Sequence, residues 1–309
     1  MNKKQRKMAV KFVKAMLGEE EFERMFNDLQ VQDIGFGYDQ FGMEKESALA
    51  AYAFTKVIYE KWFRVQSYGI ENVPTKGRAM ITPNHSGVLP IDGAMIAVDI
   101  AKKMDPPRIL RAMVDNFMGF LPYLNTVFNR IGQMVGHLRN FEVLLENNEL
   151  VAVFPEGAKG TGKLFHQRYK LLPFNVGFIE LSLRYKAPII PTAVIGGEEQ
   201  APMLYDFKPL ARALRFPYFP VTPLFPWLGP LGMIPMPTQY HIYYGEPLKL
   251  YEDNGPDILD DPEKVRMLAE KVQLTVQRMV DEGLKKRESV FGFTREMDPN
   301  RQRLMKRVN

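Results

Sequence analysis

Residues 78–93, RAMITPNHSGVLPIDG, constrain this chain more tightly than any other stretch. A short apolar run ends in Asn84-His85, a loop carrying Gly87 and Pro90 follows, and Asp92 leads into a helix-like run, AMIAVDIAKKM. A strand passing into a helix in this way sets the loop at the strand's carboxyl end, where open α/β sheets place their sites. Seven positions separate His85 from Asp92, a spacing that no single helix face brings together, so Gly87 and Pro90 must fold the loop back on itself. The chain has only four histidines. A histidine with one ring nitrogen held by a carboxylate is the economical general base near neutral pH, because the acid fixes the tautomer and stabilises the imidazolium. His85 and Asp92 are the candidate pair, and the plain alternative is a histidine that satisfies a turn.

Composition narrows the function classes. With 309 residues, 46% of them apolar, the chain buries a substantial core as one large domain, or as one domain with a helical appendage. It contains no cysteine, which removes disulfides, a thiolate nucleophile and a cysteine-ligated metal. The net charge of +5 invites nucleic acid, an acidic membrane surface or a phosphate-bearing substrate. Basic residues crowd the ends, with Lys3, Lys4, Arg6, Lys7, Lys11 and Lys14 at the start and Lys285, Lys286, Arg287, Arg301, Arg303, Lys306 and Arg307 at the finish. No zinc-finger spacing or aromatic RNA-binding signature accompanies them, which sets nucleic acid aside. No run of roughly 18 apolar residues reads as a membrane span, and no secretory core follows the basic start. The expected location is therefore membrane-associated on the cytoplasmic face, monotopic or peripheral.

Residues 3–17 set Met8, Phe12 and Met16 at helical spacing among lysines, a basic amphipathic helix that either lies in an anionic bilayer interface or packs on its own domain. A second helix is expected over 44–64, with Leu49, Ala53, Val57 and Trp62 on its apolar face and a glycine-rich loop, DIGFGYDQFG, before it. This organisation predicts an N-terminal helical, membrane-associating segment over 1–64, an α/β domain over 65–285 and a basic tail over 286–309. Within the domain, two strand-like runs joined by a Pro/Gly turn cover 64–87, others cover 108–113, 149–157, 186–199 and 240–250, and helices cover 91–103, 141–148, 178–185 and 261–285. Glu198 and Glu199 end a strand, either as polar site residues or as a solvated turn.

Asn84-His85 and Asp92, followed about seventy residues later by Phe154-Pro155-Glu156-Gly157, resemble the signature of the glycerolipid acyltransferase family, the lysophosphatidic acid and lysophospholipid acyltransferases. The resemblance runs from about Tyr68 to Pro247. The loop is two residues longer than the family's Asn-His-x4-Asp, and HSGVLPID is closer to branches with neutral lipid acceptors. The resemblance implies a central, mostly parallel sheet flanked by helices. It implies transfer of an acyl chain from acyl-CoA or acyl carrier protein to a lipid hydroxyl, with no cofactor. His85 is then the base and Asp92 its orienting acid, and Glu156 and Gly157 bind the acceptor's glycerol hydroxyls. A looser match at Pro122, Gly132, Gly136 and Arg139 implies cationic contacts from Arg111 and Arg139 to an acceptor phosphate, and Pro191 shapes the acyl-binding side. Where the family has Thr-Arg after its Phe-Pro-Glu-Gly, this chain has AKGTGK, so Lys159 and Lys163 take the arginine's place as point charges without the bidentate fork.

The same residues carry a rival. Gly157 to Lys163 fits Gly-x4-Gly-Lys after a hydrophobic strand, a P-loop-like nucleotide-binding segment, but Leu164 stands where a hydroxyl should reach magnesium. Ser86 beside His85 is a conceivable nucleophile without the Gly-x-Ser-x-Gly elbow. Between Phe216 and Gly245 no Asp, Glu, Lys or Arg occurs, and FPYFPVTPLFPWLGPLGMIPMP is too proline-rich for a helix. That stretch lines an acyl tunnel, dips into lipid or forms a proline-laced core loop.

Overall fold

The computed structural model describes residues 3–29, 31–114 and 124–292. Pro122 and the basic residues from Arg301 to Arg307 lie outside the described residues. Among those described, the strands are β1 (Gln66–Tyr68), β2 (Ala79–Pro83), β3 (Leu110–Val114), β4 (Met134–Val135), β5 (Leu150–Ala152), β6 (Ile189–Ile195), β7 (Tyr205–Asp206), β8 (Pro220–Val221) and β9 (His241–Tyr244). β7 and β8 pair as a small antiparallel ribbon, and the other seven form one sheet in the order β1-β9-β6-β2-β5-β3-β4. From β6 to β4 every pairing is parallel. β9 runs antiparallel to β6, and β1 follows β9 in parallel. The mostly parallel sheet expected from the sequence therefore carries an edge of opposite direction.

The helices are α1 (Lys3–Leu17), α2 (Glu19–Asp28), α3 (Lys45–Val57), α4 (Ile91–Lys103), α5 (Leu124–Arg130), α6 (Leu138–Glu146), α7 (Ala158–Thr161), α8 (Gly177–Tyr185), α9 (Gly197–Gln200), α10 (Lys208–Leu214), α11 (Leu250–Asp253) and α12 (Pro262–Lys286). The central strands read as unbroken apolar runs because both faces of the sheet are covered. Successive side chains still alternate. Ala79, Ile81, Leu150, Ala152, Ile190 and Val194 join a core with Val13, Phe22, Met25, Leu49 and Ile96 from α1 to α4. Met80, Val151, Ile189, Ala193 and Ile195 join the opposite core with Leu144, Ile179 and the Val265, Ala269, Val272, Val276, Val280 stripe of α12. That stripe repeats every three or four residues, as a helix laid on a sheet requires.

Two local outcomes differ from the sequence expectation. α1 packs through Val13, while Met8 and Phe12, expected on its working face, point to solvent at 66% and 55% exposure. Those two lie about 100 to 140° around the helix from Val13, so one helix presents both a packed side and a free apolar side. The helix expected over 44–64 also changes pitch, passing from α3 into a π turn at Ile58–Trp62.

Candidate active site

β5, β2 and β6 are neighbours and parallel, so their carboxyl ends bring three segments together that are far apart in sequence: 84–92, 153–163 and 196–200. Asn84 is fully buried and its side chain acts as one more peptide unit of the sheet. Val194 N donates to its Oδ1 at 2.7 Å, and its Nδ2 donates to Val194 O at 3.0 Å. The ladder is thereby carried one residue past Pro83, which fixes where His85 leaves the sheet.

His85 Nδ1 lies 2.8 Å from Asp92 Oδ2. With a buried carboxylate as partner, Nδ1 carries the proton and Nε2 keeps the lone pair. Asp92 has no exposed side-chain surface and the His85 side chain 12%, so the acid is sealed and the base is reachable. Asp92 also accepts Ser86 N at 3.0 Å and Gly93 N at 2.8 Å, and it sits in the first turn of α4, where the helix dipole favours a negative charge. The Phe154 ring lies against the imidazole, centroids 4.2 Å apart. The fold-back expected of the longer loop occurs at Gly87, whose φ is +73°; a Cβ there would stand 2.6 Å from Gly197 O. The loop is then tied down by Gln200 Nε2 donating to Leu89 O at 3.1 Å and Tyr218 Oη donating to Val88 O at 2.7 Å.

Glu156 and Lys163 do not play the parts their motif suggests. Glu156 Oε1 accepts the backbone N–H of His85 at 2.9 Å, and Oε2 accepts Leu172 N at 2.9 Å and meets Lys163 Nζ at 3.2 Å. Lys163 Nζ also lies 3.0 Å from Glu198 Oε1, which accepts Tyr169 N at 3.1 Å. Burial pushes the Glu198 carboxyl above its ordinary range, and Lys163 opposes that rise. The expectation that Glu156 projects toward glycerol hydroxyls is corrected: both of its oxygens are taken by the protein, and it holds the backbone of the base. Lys163 is likewise no free point charge, being buried between two carboxylates.

The P-loop reading fails on the same geometry. The amides of Gly157, Gly160 and Gly162 donate to Phe154 O, Gly157 O and Ala158 O, so they are not open to a phosphate. These glycines have a different reason. Gly157 has φ 60° and ψ −160°, a conformation essentially closed to other residues. At Gly160 a Cβ would fall 2.8 Å from His85 Cβ and 2.9 Å from Glu156 Cβ. Gly160 is thus a site residue that sequence reading passed over, and the signal was the small residue itself. Lys159, on the same turn, is exposed. Pro155 is buried, and its carbonyl accepts Asn175 Nδ2 at 3.0 Å.

The expected arginines are elsewhere. Arg111 is 1% exposed, pairs with Asp39 at 2.7 Å and donates through Nε to Gly132 O. The cavity of about 220 Å³ beside it is also lined by Asp33, Asp39 and Glu149, an acidic wall unsuited to a phosphate. Arg139 is exposed and pairs along α6 with Glu142 and Glu146. Neither guanidinium joins His85. Pro191 is buried within β6 opposite Thr82, and Gly245 N donates to its carbonyl at 2.8 Å.

The turn at 196–200 is not solvated. Glu198, Glu199 and Gln200 are all buried. Glu199 pairs with Arg287 at 2.9 Å and accepts from Tyr169 Oη, which itself accepts Gly196 N. Burial holds the hydroxyls of Tyr169 and Tyr240 well above their ordinary range, and Tyr240 Oη donates to Gln200 Oε1 at 2.8 Å. A buried polar network therefore underlies the whole His85 loop.

A family model described as Acyltransferase matches residues 64–195, the span that carries both the Asn84-to-Asp92 loop and Phe154-Pro155-Glu156-Gly157. An uncharacterized protein of Mycobacterium tuberculosis is 38% identical over 258 residues, covering 83% of this chain and 72% of that protein. A Bos taurus protein described as a DGAT1/2-independent enzyme synthesizing storage lipids is 26% identical over 222 residues, 71% of this chain and 60% of that one. Among solved structures, the 1-acyl-sn-glycerophosphate acyltransferase PlsC of Thermotoga maritima shares the fold, with a TM-score of 0.51 at 18% identity over 92% of this chain and 97% of that chain.

Proposed function

Because the chain belongs to the glycerolipid acyltransferase family, we propose that it transfers a fatty acyl chain from an acyl-CoA or acyl carrier protein thioester to a hydroxyl of a lysophospholipid or glycerolipid acceptor. The reaction takes place at an anionic membrane surface, on the cytoplasmic face. The observation that carries this reading is the 2.8 Å contact between a reachable imidazole and a sealed carboxylate. His85 Nε2 takes the hydroxyl proton as the acceptor oxygen attacks the thioester carbonyl. The tetrahedral oxyanion then collapses, the carbon–sulfur bond breaks, and the imidazolium returns its proton to the departing thiolate. Asp92 orients the ring and balances its charge while it is protonated. Glu156 and Gly160 set the position of the base.

The acceptor best supported is a glycerolipid that does not depend on a phosphate. Lys163 is matched by Glu156 and Glu198, Arg111 by Asp39, and Arg139 by its own helix, which leaves exposed Lys159 as the basic side chain on the α7 turn. The storage-lipid description of the bovine relative points the same way.

The test is thiol release from palmitoyl-CoA with monoglyceride, diglyceride and lysophosphatidic acid offered in parallel. His85→Ala should lower turnover by on the order of 1,000-fold with the fold left intact. Turnover retained in that variant refutes the base assignment. A strict requirement for the phosphate-bearing acceptor refutes the acceptor assignment.

A further inference from the structure

The surface between β8 and β9 is built unlike the rest of the molecule. Trp227 is 73% exposed, Leu231 67%, Leu228 55% and Ile234 52%, and no Asp, Glu, Lys or Arg occurs from Phe216 to Gly245. Apolar side chains scattered singly over a surface need no explanation, whereas a cluster of this size on one segment marks an interaction site. Part of the segment's backbone pairs within the segment. Thr222 N donates to Phe225 O at 2.8 Å and Leu228 N to Leu224 O at 2.9 Å. Thr222 Oγ1 accepts both Leu224 N and Phe225 N, and a turn of 3-10 helix covers Gly229–Met233. Backbone that pairs with itself can leave water without stranding its polar groups.

Its surroundings identify the occupant. Trp62, also exposed, donates from its indole nitrogen to Pro235 O at 3.0 Å, adding a second amphipathic aromatic at the same place. Lys208, Arg212 and Arg215 are exposed on and just beyond α10, immediately before the segment. Aromatic side chains between an apolar tip and a basic flank match the boundary of an anionic bilayer. On its inner side the segment touches the catalytic loop through the Tyr218 to Val88 hydrogen bond, and the Tyr218 ring packs over Gly162.

We infer that residues 216–237 are a bilayer-docking loop, with Trp227, Leu228, Leu231 and Ile234 in the acyl–headgroup boundary and Lys208, Arg212 and Arg215 on anionic headgroups. The inference rests on the membrane-surface reading above and adds which segment touches lipid and how the site faces it. No helix among the described residues is long and apolar enough to cross a membrane, so the contact is interfacial. Docking through this loop seats the mouth of the His85 site at the lipid surface, where an acceptor reaches it by lateral diffusion.

The chain's two tryptophans, Trp62 and Trp227, make the test direct. In the full chain carrying Trp62→Phe, Trp227 is the single reporter, mixed with phosphatidylcholine and phosphatidylglycerol vesicles with or without brominated acyl chains. Its emission should shift to the blue and be quenched by the brominated lipid. In the otherwise native chain, Trp227→Asp with Leu231→Asp should weaken vesicle partitioning by about 30-fold while leaving thioester consumption with a detergent-dispersed monoglyceride unchanged. Co-sedimentation with unshifted Trp227 overturns the loop and leaves the membrane reading standing on α1. Absence of co-sedimentation overturns both. A blue shift that grows with protein concentration without vesicles assigns the surface to a second copy of the chain and overturns the proposal.

Discussion

Two regions that meet at the catalytic loop reverse the usual placement of residues. Beneath the loop, Asp92, Glu156, Lys163, Glu198, Glu199 and Arg287 are charged and at most one-eighth exposed at their side chains. Above it, Trp227, Leu228, Leu231 and Ile234 are apolar and more than half exposed. Buried ion pairs rarely repay the desolvation of their charges, and exposed apolar clusters are unfavourable in water. What the inner region gains is position: charged hydrogen bonds from fixed partners hold the His85 backbone where packing alone would allow drift. What the outer region gains is an unpartnered surface. Local rules broken on two sides of one loop mark that loop as the working part of the molecule.

The inner region breaks most severely at Lys163. Lys163→Met leaves Glu156 and Glu198 buried without their cation, which should destabilise the fold by about 3–5 kcal/mol. The sign with pH is defined. Glu198 already sits above the ordinary carboxylate value of 4.5, and losing Lys163 raises it further. The folded variant then holds a proton that the unfolded chain releases, so its stability falls as pH rises through that window. Its melting temperature should recover partly at pH 5 relative to pH 8. An equal deficit at both pH values removes the electrostatic account.

Gly160→Ala probes position without touching charge. The added methyl must displace His85 or Glu156 by several tenths of an ångström, given approaches of 2.8 and 2.9 Å. Displacement of a base on that scale should lower kcat by up to about 100-fold, with the KM for palmitoyl-CoA little changed. Full turnover in this variant shows that the loop adapts and that the close approach is only packing.

These contrasts also explain what could be read from the chain alone. The Asn84-to-Asp92 loop was legible because acid, base and turn residues lie within one short segment, and the central strands because their apolar runs are short, rich in β-branched residues and flanked by turn residues. The direction of Lys163 was not legible, since GAKGTGK reads the same whether its lysine faces a ligand or two carboxylates. Only the adjacency of β5, β2 and β6 brings Glu198 to it. Arg111 was misread for a related reason: its partner Asp39 comes from the loop between α2 and α3, 72 positions away. α2 was not anticipated because its apolar face is short, Phe22, Met25 and Phe26 among acidic neighbours.

The smallest expected effect tests whether the two regions are joined. Tyr218 Oη donates to Val88 O at 2.7 Å, a hydrogen bond running from the 216–237 segment to the catalytic loop. Tyr218→Phe removes that donor and keeps the ring over Gly162, so the expected loss is that of one hydrogen bond, about 1 kcal/mol. If the segment only covers the site, this loss falls equally on acceptor presented in vesicles and in detergent micelles. If docking on lipid sets the loop's position, the loss should be larger with vesicles, by about fivefold in kcat/KM, because there the tyrosine links the bilayer-seated segment to the base. Equal losses in the two presentations would leave the outer surface as an anchor with no hand in catalysis.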